Sequence, residues 1–219
     1  MYKIIFFDLD GTIINSKVGI INSLNYMTNK MHWNEINSSD YLKFIGPPLS
    51  ETISNYFHIN DKNVIDNAIS FFQDYYKNYG IFQCELYPDI LYMLNLLYDN
   101  DKKLFITTSK PEIMAKKIVS FLNLNVYFTN IFGATLDESI RSKKVQIISY
   151  AISSLGLSNY LNNILMVGDR DVDILGAQKN KIKSISVSYG FGKKSEFFYK
   201  NNLSVLSSPL DVARWILNH

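Results

Sequence analysis

Asp8 and Asp10 stand two positions apart, in the segment Asp8-Leu9-Asp10-Gly11-Thr12, directly after an apolar run from Tyr2 to Phe7. In extended backbone alternate side chains share a face, so the two carboxylates point one way and Leu9 points back towards a core. Carboxylates this close repel unless a cation or a shared proton lies between them. A second acidic segment, Gly168-Asp169-Arg170-Asp171-Val172-Asp173, follows the apolar run Ile164 to Val167, and Thr108 closes another run that begins at Leu104. An all-oxygen cluster suits Mg²⁺, which takes one or two carboxylates together with waters and phosphate oxygens. Taken alone, Asp8 to Gly11 also fits a tight turn, and Asp169 to Asp171 a helix cap. Independent turns give no reason for acids to gather beside a threonine and the pair Lys143-Lys144.

The elements that must position these groups follow from periodicity. Strands are expected at Tyr2 to Phe7, Leu104 to Thr108, Asn130 to Gly133, Ile164 to Val167 and Ser184 to Val187. Helices are expected at about Pro88 to Leu97, Pro111 to Phe121, Val145 to Leu155, Asp171 to Asn180 and Leu210 to Leu217. Strands alternating with helices argue an α/β fold, a parallel sheet covered on both faces. Asp8, Asp10, Thr108, Asp169 and Asp173 then converge at the carboxyl ends of its strands, where such sheets bind ligands. The roughly 90 residues between the first two strands have helical spacing, at Ile20, Ile21, Leu24 and Met27 and again from Val64 to Tyr75, and read as a helical insertion.

Composition bounds the function. The chain has 219 residues, 47% of them apolar and 19% charged, which excludes a disordered tail or a disulfide-stapled miniprotein. A net charge of +2 with interspersed signs argues against nucleic acid, though a phosphate pocket needs only two or three well-placed donors. Cys84 is the single cysteine, so neither an intrachain disulfide nor a cysteine metal cluster is possible, and a reducing compartment fits. No apolar run suits a signal peptide or a membrane span. The expectation is a soluble, cytoplasmic protein, monomer or homodimer, with no membrane partner.

Asp8-Leu9-Asp10-Gly11-Thr12, Thr108, a lysine at 143 or 144, and Gly168 to Asp173 together resemble the four motifs of the haloacid dehalogenase superfamily. The resemblance covers the whole chain, including the inserted helical segment. Ile45-Gly46-Pro47-Pro48-Leu49, Arg141-Ser142-Lys143-Lys144, Gly168 to Ala177 and Tyr189-Gly190-Phe191-Gly192 are most similar to the phosphoglycolate phosphatase-like branch and its 5′-nucleotidase-like members. This implies a Rossmann-like core over residues 1–14 and 84–219 with an α-helical cap over 15–83. It also implies a Mg²⁺-dependent phosphatase for a small phosphorylated metabolite.

By the same resemblance, Asp8 is the nucleophile that forms an aspartyl-phosphate, and Asp10 is the acid and then the base. Mg²⁺ is held by Asp8, the Asp10 carbonyl and Asp169, with Asp173 in support. Thr108 and a lysine complete the catalytic set. The register of Arg141 to Tyr150 points to Lys144, with Lys143 as the alternative and in a supporting place. Gly11, Thr12, Ser109, Lys110, Gly46 and Arg170 are the expected substrate contacts. Asp10 disfavours dehalogenation, because dehalogenases of this fold lack that acid and need no metal. A sugar phosphomutase and a non-catalytic phospholigand-binding module are the alternatives. The cap has no arginine, since the chain's only arginines are Arg141, Arg170 and Arg214, which counts against a carboxylate-bearing substrate such as phosphoglycolate. Trp33, Tyr41 and Phe44 are aromatics that either stack on a base or, as their ordinary frequency favours, pack a core.

Overall fold

The apolar residues after Tyr2 make β1 (Ile4–Phe7), and Ile5, Phe6 and Phe7 are fully buried. Alternation puts Phe6 on one face of the sheet and Ile5 and Phe7 on the other, so a strand with no exposed face must be covered on both. In the computed structural model, which describes residues 1–45, 47–136 and 140–219, the chain divides into two units. One comprises Met1–Asn15 and Leu86–His219, the other Ser16–Glu85.

Beyond β1 the first unit contains the short β2 (Ile14–Asn15). The second unit carries α1 (Lys17–Met31), α2 (Leu49–Phe57) and α3 (Lys62–Asn78), and β3 (Glu85–Leu86) spans the boundary. The first unit then continues with α4 (Ile90–Asp99), β4 (Lys103–Pro111), α5 (Glu112–Phe121), β5 (Phe128–Ala134) and α6 (Lys144–Ser154). After these come β6 (Ile164–Gly168), α7 (Asp171–Lys179), β7 (Lys183–Val187), β8 (Asn202–Leu206) and α8 (Pro209–Asn218).

Six strands form one parallel sheet in the order β5-β4-β1-β6-β7-β8. Phe7 lies opposite Ile106 on β4 and Val167 on β6. The chain builds outwards from β1 through β4 to β5, then returns to the other side of β1 for β6. That reversal is the topological switch point, where open α/β sheets leave a crevice at the strands' carboxyl ends. Asp8 and Asp169 follow the two strands that flank it.

Packing fixes this edge. Phe6 meets Phe105 edge-on at 5.8 Å, and with Phe132, Ile147, Ile148, Ala151 and Met166 they form a buried cluster under α6. Each fully buried phenylalanine of this kind contributes about 1.5–3 kcal/mol. On the opposite face Phe7 meets Phe128 at 6.3 Å. The strand β8 has no counterpart among the expected strands. Its residues Asn202-Leu-Ser-Val-Leu are half-exposed at the sheet's margin, and pairing with β7 rather than local pattern gives it its conformation.

In the second unit α1 packs on α3, and the Asp61 carboxylate caps α3 by accepting the Asn63 N–H at 2.8 Å. The three aromatics singled out above are used locally. Trp33 packs on Phe57 at 4.5 Å, Phe44 meets Tyr56 at 5.3 Å, and the Tyr41 hydroxyl donates to Asn25 Oδ1 at 2.6 Å. Among the described residues no helix is long and apolar enough to cross a membrane.

Candidate active site

The segment after β1 is a turn and an acidic site at once. The Leu9 carbonyl accepts from the N–H groups of Thr12, Ile13 and Ile14, and the Gly11 N–H donates to the Ile14 carbonyl at 2.8 Å. Leu9 itself is fully buried, so the turn is nailed to the core while Asp8 and Asp10 stand on either side of it. Gly11 takes φ +86°, a backbone conformation costly for any residue with a Cβ. A Cβ there would also collide with the Asp169 carboxylate.

Lys144 is the first residue of α6 and is 4% exposed. Its Nζ donates to Asp8 Oδ1 at 2.6 Å and to the Thr107 carbonyl at 2.9 Å, and it lies 2.8 Å from Asp173 Oδ1. An ammonium at a helix N-terminus is ordinarily unfavourable; here the charge is spent on two carboxylates brought by β1 and α7. Burial acts to lower the Lys144 pKa, but Asp173 and Asp8 more than offset it, and the group is held charged above the usual lysine range. Lys143, its neighbour, is exposed and N-caps the helix, with its N–H donating to Gln146 Oε1 at 3.2 Å.

Burial pushes the Asp8 carboxyl from its ordinary 3.8 up to about 7; Lys144 opposes the rise, while Asp173 and Asp10 add to it. Asp169, fully buried, is also pushed well up, by burial first and then by Asp8 and Asp173. Ligand atoms of Asp8, Asp169 and Asp173 lie within 4.8 Å of one another. Asp173 has both oxygens engaged, Oδ1 by Lys144 and Oδ2 by the Arg170 N–H at 3.1 Å, so it braces the lysine and the start of α7.

Asp10 Oδ2 pairs with Lys110 Nζ at 3.2 Å, whereas its Oδ1 is buried with no hydrogen-bond partner. Asp8, Asp10, Asp169 and Asp173 set four carboxyl groups against the ammonium groups of Lys110 and Lys144, a formal excess of two acids. An oxygen-rich set with that excess fits Mg²⁺, a hard divalent cation.

The remaining expected residues fall in different places. Thr108 is buried and its Oγ1 accepts the Lys110 N–H at 3.2 Å; Ser109 and Lys110 lie near the carboxyl end of the long β4. Thr12 is buried, with its hydroxyl 3.4 Å from Asp169 Oδ1. Arg170 points its Nε at Glu196 Oε2, 2.8 Å away, and that oxygen also lies 3.3 Å from the Asp171 N–H. Gly46 lies outside the described residues. The pairing of Lys110 with Asp10, the Thr107 carbonyl and Glu196 were not anticipated. The second unit has a cavity of its own, about 500 Å³, lined by Lys43, Pro47, Glu51, Thr52, Asn55, Tyr56 and His58, and none of the strand-end acids lines it.

Comparison with known proteins agrees with this geometry. Residues 5–187 match the family profile described as haloacid dehalogenase-like hydrolase. The chain is 30% identical over 195 residues to a 5′-nucleotidase of Pseudomonas aeruginosa, covering 89% of this chain and 86% of that protein. It is 28% identical over 218 residues to a phosphoglycolate phosphatase of Aquifex aeolicus, covering 99% and 98% of the two. The crystal structure of a predicted phosphatase from Clostridium acetobutylicum superposes with a TM-score of 0.92 at 34% identity, over 100% of both chains. With acids at the ends of β1 and β6, a threonine at the end of β4 and a buried lysine opening α6, all on a sheet of this order, the chain belongs to the haloacid dehalogenase-like hydrolases.

Proposed function

We propose that this hydrolase is a Mg²⁺-dependent phosphatase that cleaves a small phosphomonoester through an aspartyl-phosphate on Asp8. The observation that carries the reading is the Lys144 ammonium held between Asp8 and Asp173 beside the buried Asp169. Asp8, the Asp10 carbonyl and Asp169 would hold Mg²⁺, which when bound screens the phosphate's charge from the approaching carboxylate.

The steps fall to residues of the chain. An Asp8 carboxylate oxygen attacks phosphorus as the bond from phosphorus to the ester oxygen breaks, and Asp10 gives its proton to the departing alcohol. Asp10, now ionised, takes a proton from water; the water oxygen attacks phosphorus and the acyl phosphate bond to Asp8 breaks, releasing phosphate. Lys144 fixes the rotation of the Asp8 carboxylate and, with Thr108, Ser109 and Lys110, neutralises charge on the phosphoryl oxygens. Gly11 and Thr12 use their N–H groups within the turn and so shape the pocket beside the phosphate rather than donate to it, and Arg170 contributes positive charge at the rim.

The unit Ser16–Glu85 is the cap in this reading and selects the substrate. It contains no arginine to grip a substrate carboxylate, so nucleoside monophosphates rank ahead of phosphoglycolate. The test is release of phosphate from p-nitrophenyl phosphate with Mg²⁺, followed by a panel of nucleotides, sugar phosphates and phosphoglycolate. EDTA or Asp8→Asn is expected to abolish release. Full activity in Asp8→Asn overturns the mechanism, and transfer of phosphate between hydroxyls of one sugar, faster than hydrolysis, identifies a mutase instead.

A further inference from the structure

Asp169 is enclosed by a loop that the mechanism above does not use. Its Oδ2 accepts the Phe191 N–H at 2.7 Å. Glycines flank that amide on both sides, and neither position has room for a side chain. A Cβ on Gly190 would collide with the Gly11 carbonyl oxygen, and one on Gly192 with the Asp169 carbonyl oxygen. The loop is fastened at its start: the Tyr189 hydroxyl donates to the Thr12 carbonyl at 3.0 Å, and its ring lies 5.0 Å from that of Tyr87. Backbone from the β1 turn and from the segment after β7 therefore closes on the same carboxylate oxygen. Among the described residues the other oxygen, Oδ1, has only the long contact with the Thr12 hydroxyl, at 3.4 Å.

We propose that Tyr189 to Gly192 is a positioning element for the cation: it occupies Asp169 Oδ2, leaves Oδ1 to be offered singly, and so favours Mg²⁺ over Ca²⁺. Mg²⁺ demands a near-ideal octahedron and takes carboxylates through one oxygen, whereas Ca²⁺ takes six to eight ligands and often both oxygens of a carboxylate. Chelation through both oxygens would bring the cation onto Oδ2, where the Phe191 amide already sits and where the backbone at Gly190 and Gly192 closes in around Asp169. The proposal rests on the metal reading given above and adds to it a reason for cation choice.

The test is isothermal titration of MgCl₂ and of CaCl₂ into metal-free wild type, Gly192→Ala and Tyr189→Phe. Partners that orient a ligating carboxylate are worth roughly 10–100-fold in metal affinity. Gly192→Ala is expected to weaken Mg²⁺ binding by about tenfold or more and Ca²⁺ binding by less, so that the preference narrows. If Gly192→Ala lacks a cooperative unfolding transition, Tyr189→Phe carries the test, since it adds no atom and removes only the bond to Thr12; it is expected to narrow the same ratio several-fold with an unchanged circular dichroism spectrum. Folded variants with wild-type Mg²⁺ affinity and an unaltered Mg²⁺ to Ca²⁺ ratio overturn the loop's role and leave the metal reading standing. Wild type that binds neither cation overturns both.

Discussion

The Lys144 ammonium lies 2.6 Å from Asp8 Oδ1 across 136 positions of sequence. The same group also reaches the Thr107 carbonyl and Asp173, so one side chain joins the carboxyl ends of β1 and β4 to the first turn of α7.

Lys144→Met strips two buried carboxylates of their counterion. Breaking a buried pair by removing one partner costs about 3–5 kcal/mol, and loss of a charge-stabilising donor costs roughly 10²–10³-fold in kcat. Urea denaturation at pH 8 is expected to show the stability loss, shrinking at pH 6 as Asp8 takes up a proton. Lys144→Arg is not expected to rescue, because the stem is tightly packed: a Cβ on Gly176 would already sit 2.9 Å from Lys144 Cγ.

Asp8 makes a signed prediction about pH. Its carboxyl is raised from 3.8 to about 7 in the fold, so between those values the native state holds more protons than the unfolded chain. Stability contributed by this group is therefore greatest in acid and falls as pH rises through that window. Metal-free wild type is expected to lose stability relative to Asp8→Asn between about pH 4 and pH 7 in paired thermal melts. Adding Mg²⁺ at pH 7.5 should raise the wild-type melting temperature and leave Asp8→Asn nearly unmoved. Parallel curves for the two proteins, with and without Mg²⁺, would contradict this.

Glu196 ties the turn at Lys194–Phe197 to the start of α7 by accepting from Arg170 and Asp171 on one oxygen and from the Lys193 N–H, at 3.1 Å, on the other. Glu196→Ala is expected to lower unfolding free energy by about 1–3 kcal/mol with KM unchanged. A large rise in KM at unaltered stability would instead place the Arg170–Glu196 pair in direct contact with substrate.

Lys110 is nearly buried and holds Asp10 at 3.2 Å. If its ammonium also meets phosphate, Lys110→Met forfeits a charge-assisted hydrogen bond, and inhibition by inorganic phosphate should weaken by roughly tenfold or more. Steady-state inhibition with p-nitrophenyl phosphate measures it, and an unchanged inhibition constant removes Lys110 from the phosphate contacts.

How much was legible in sequence follows from how local the information is. Apolar runs ending in Asp8, Thr108 and Asp169 announced both the strands and the edge where they meet, because burial of both strand faces writes itself into consecutive residues. The alternatives of turn and acidic site at Asp8 to Gly11 proved not to compete, since the hydrogen bonds to the Leu9 carbonyl hold the turn without using either carboxylate. The strand β8 was not legible: a half-exposed edge is specified by its neighbour. Nor were the partners of Lys110 and Arg170, because long flexible side chains choose among acids that only the folded chain brings near.

The central place of β1 also bears on how the molecule is made. Residues Ile4–Phe7 leave the ribosome before either flanking strand exists, for their partners lie at Lys103–Ile106 and Ile164–Val167. At about 5–20 residues per second, Phe6 waits on the order of ten seconds for Met166, while α1 can find α3 soon after both are synthesised. The strand that carries Asp8 is thus made well before either neighbour and paired on both sides only after β6 is made, and a nascent chain stalled before β6 presents this apolar strand with one edge unpaired.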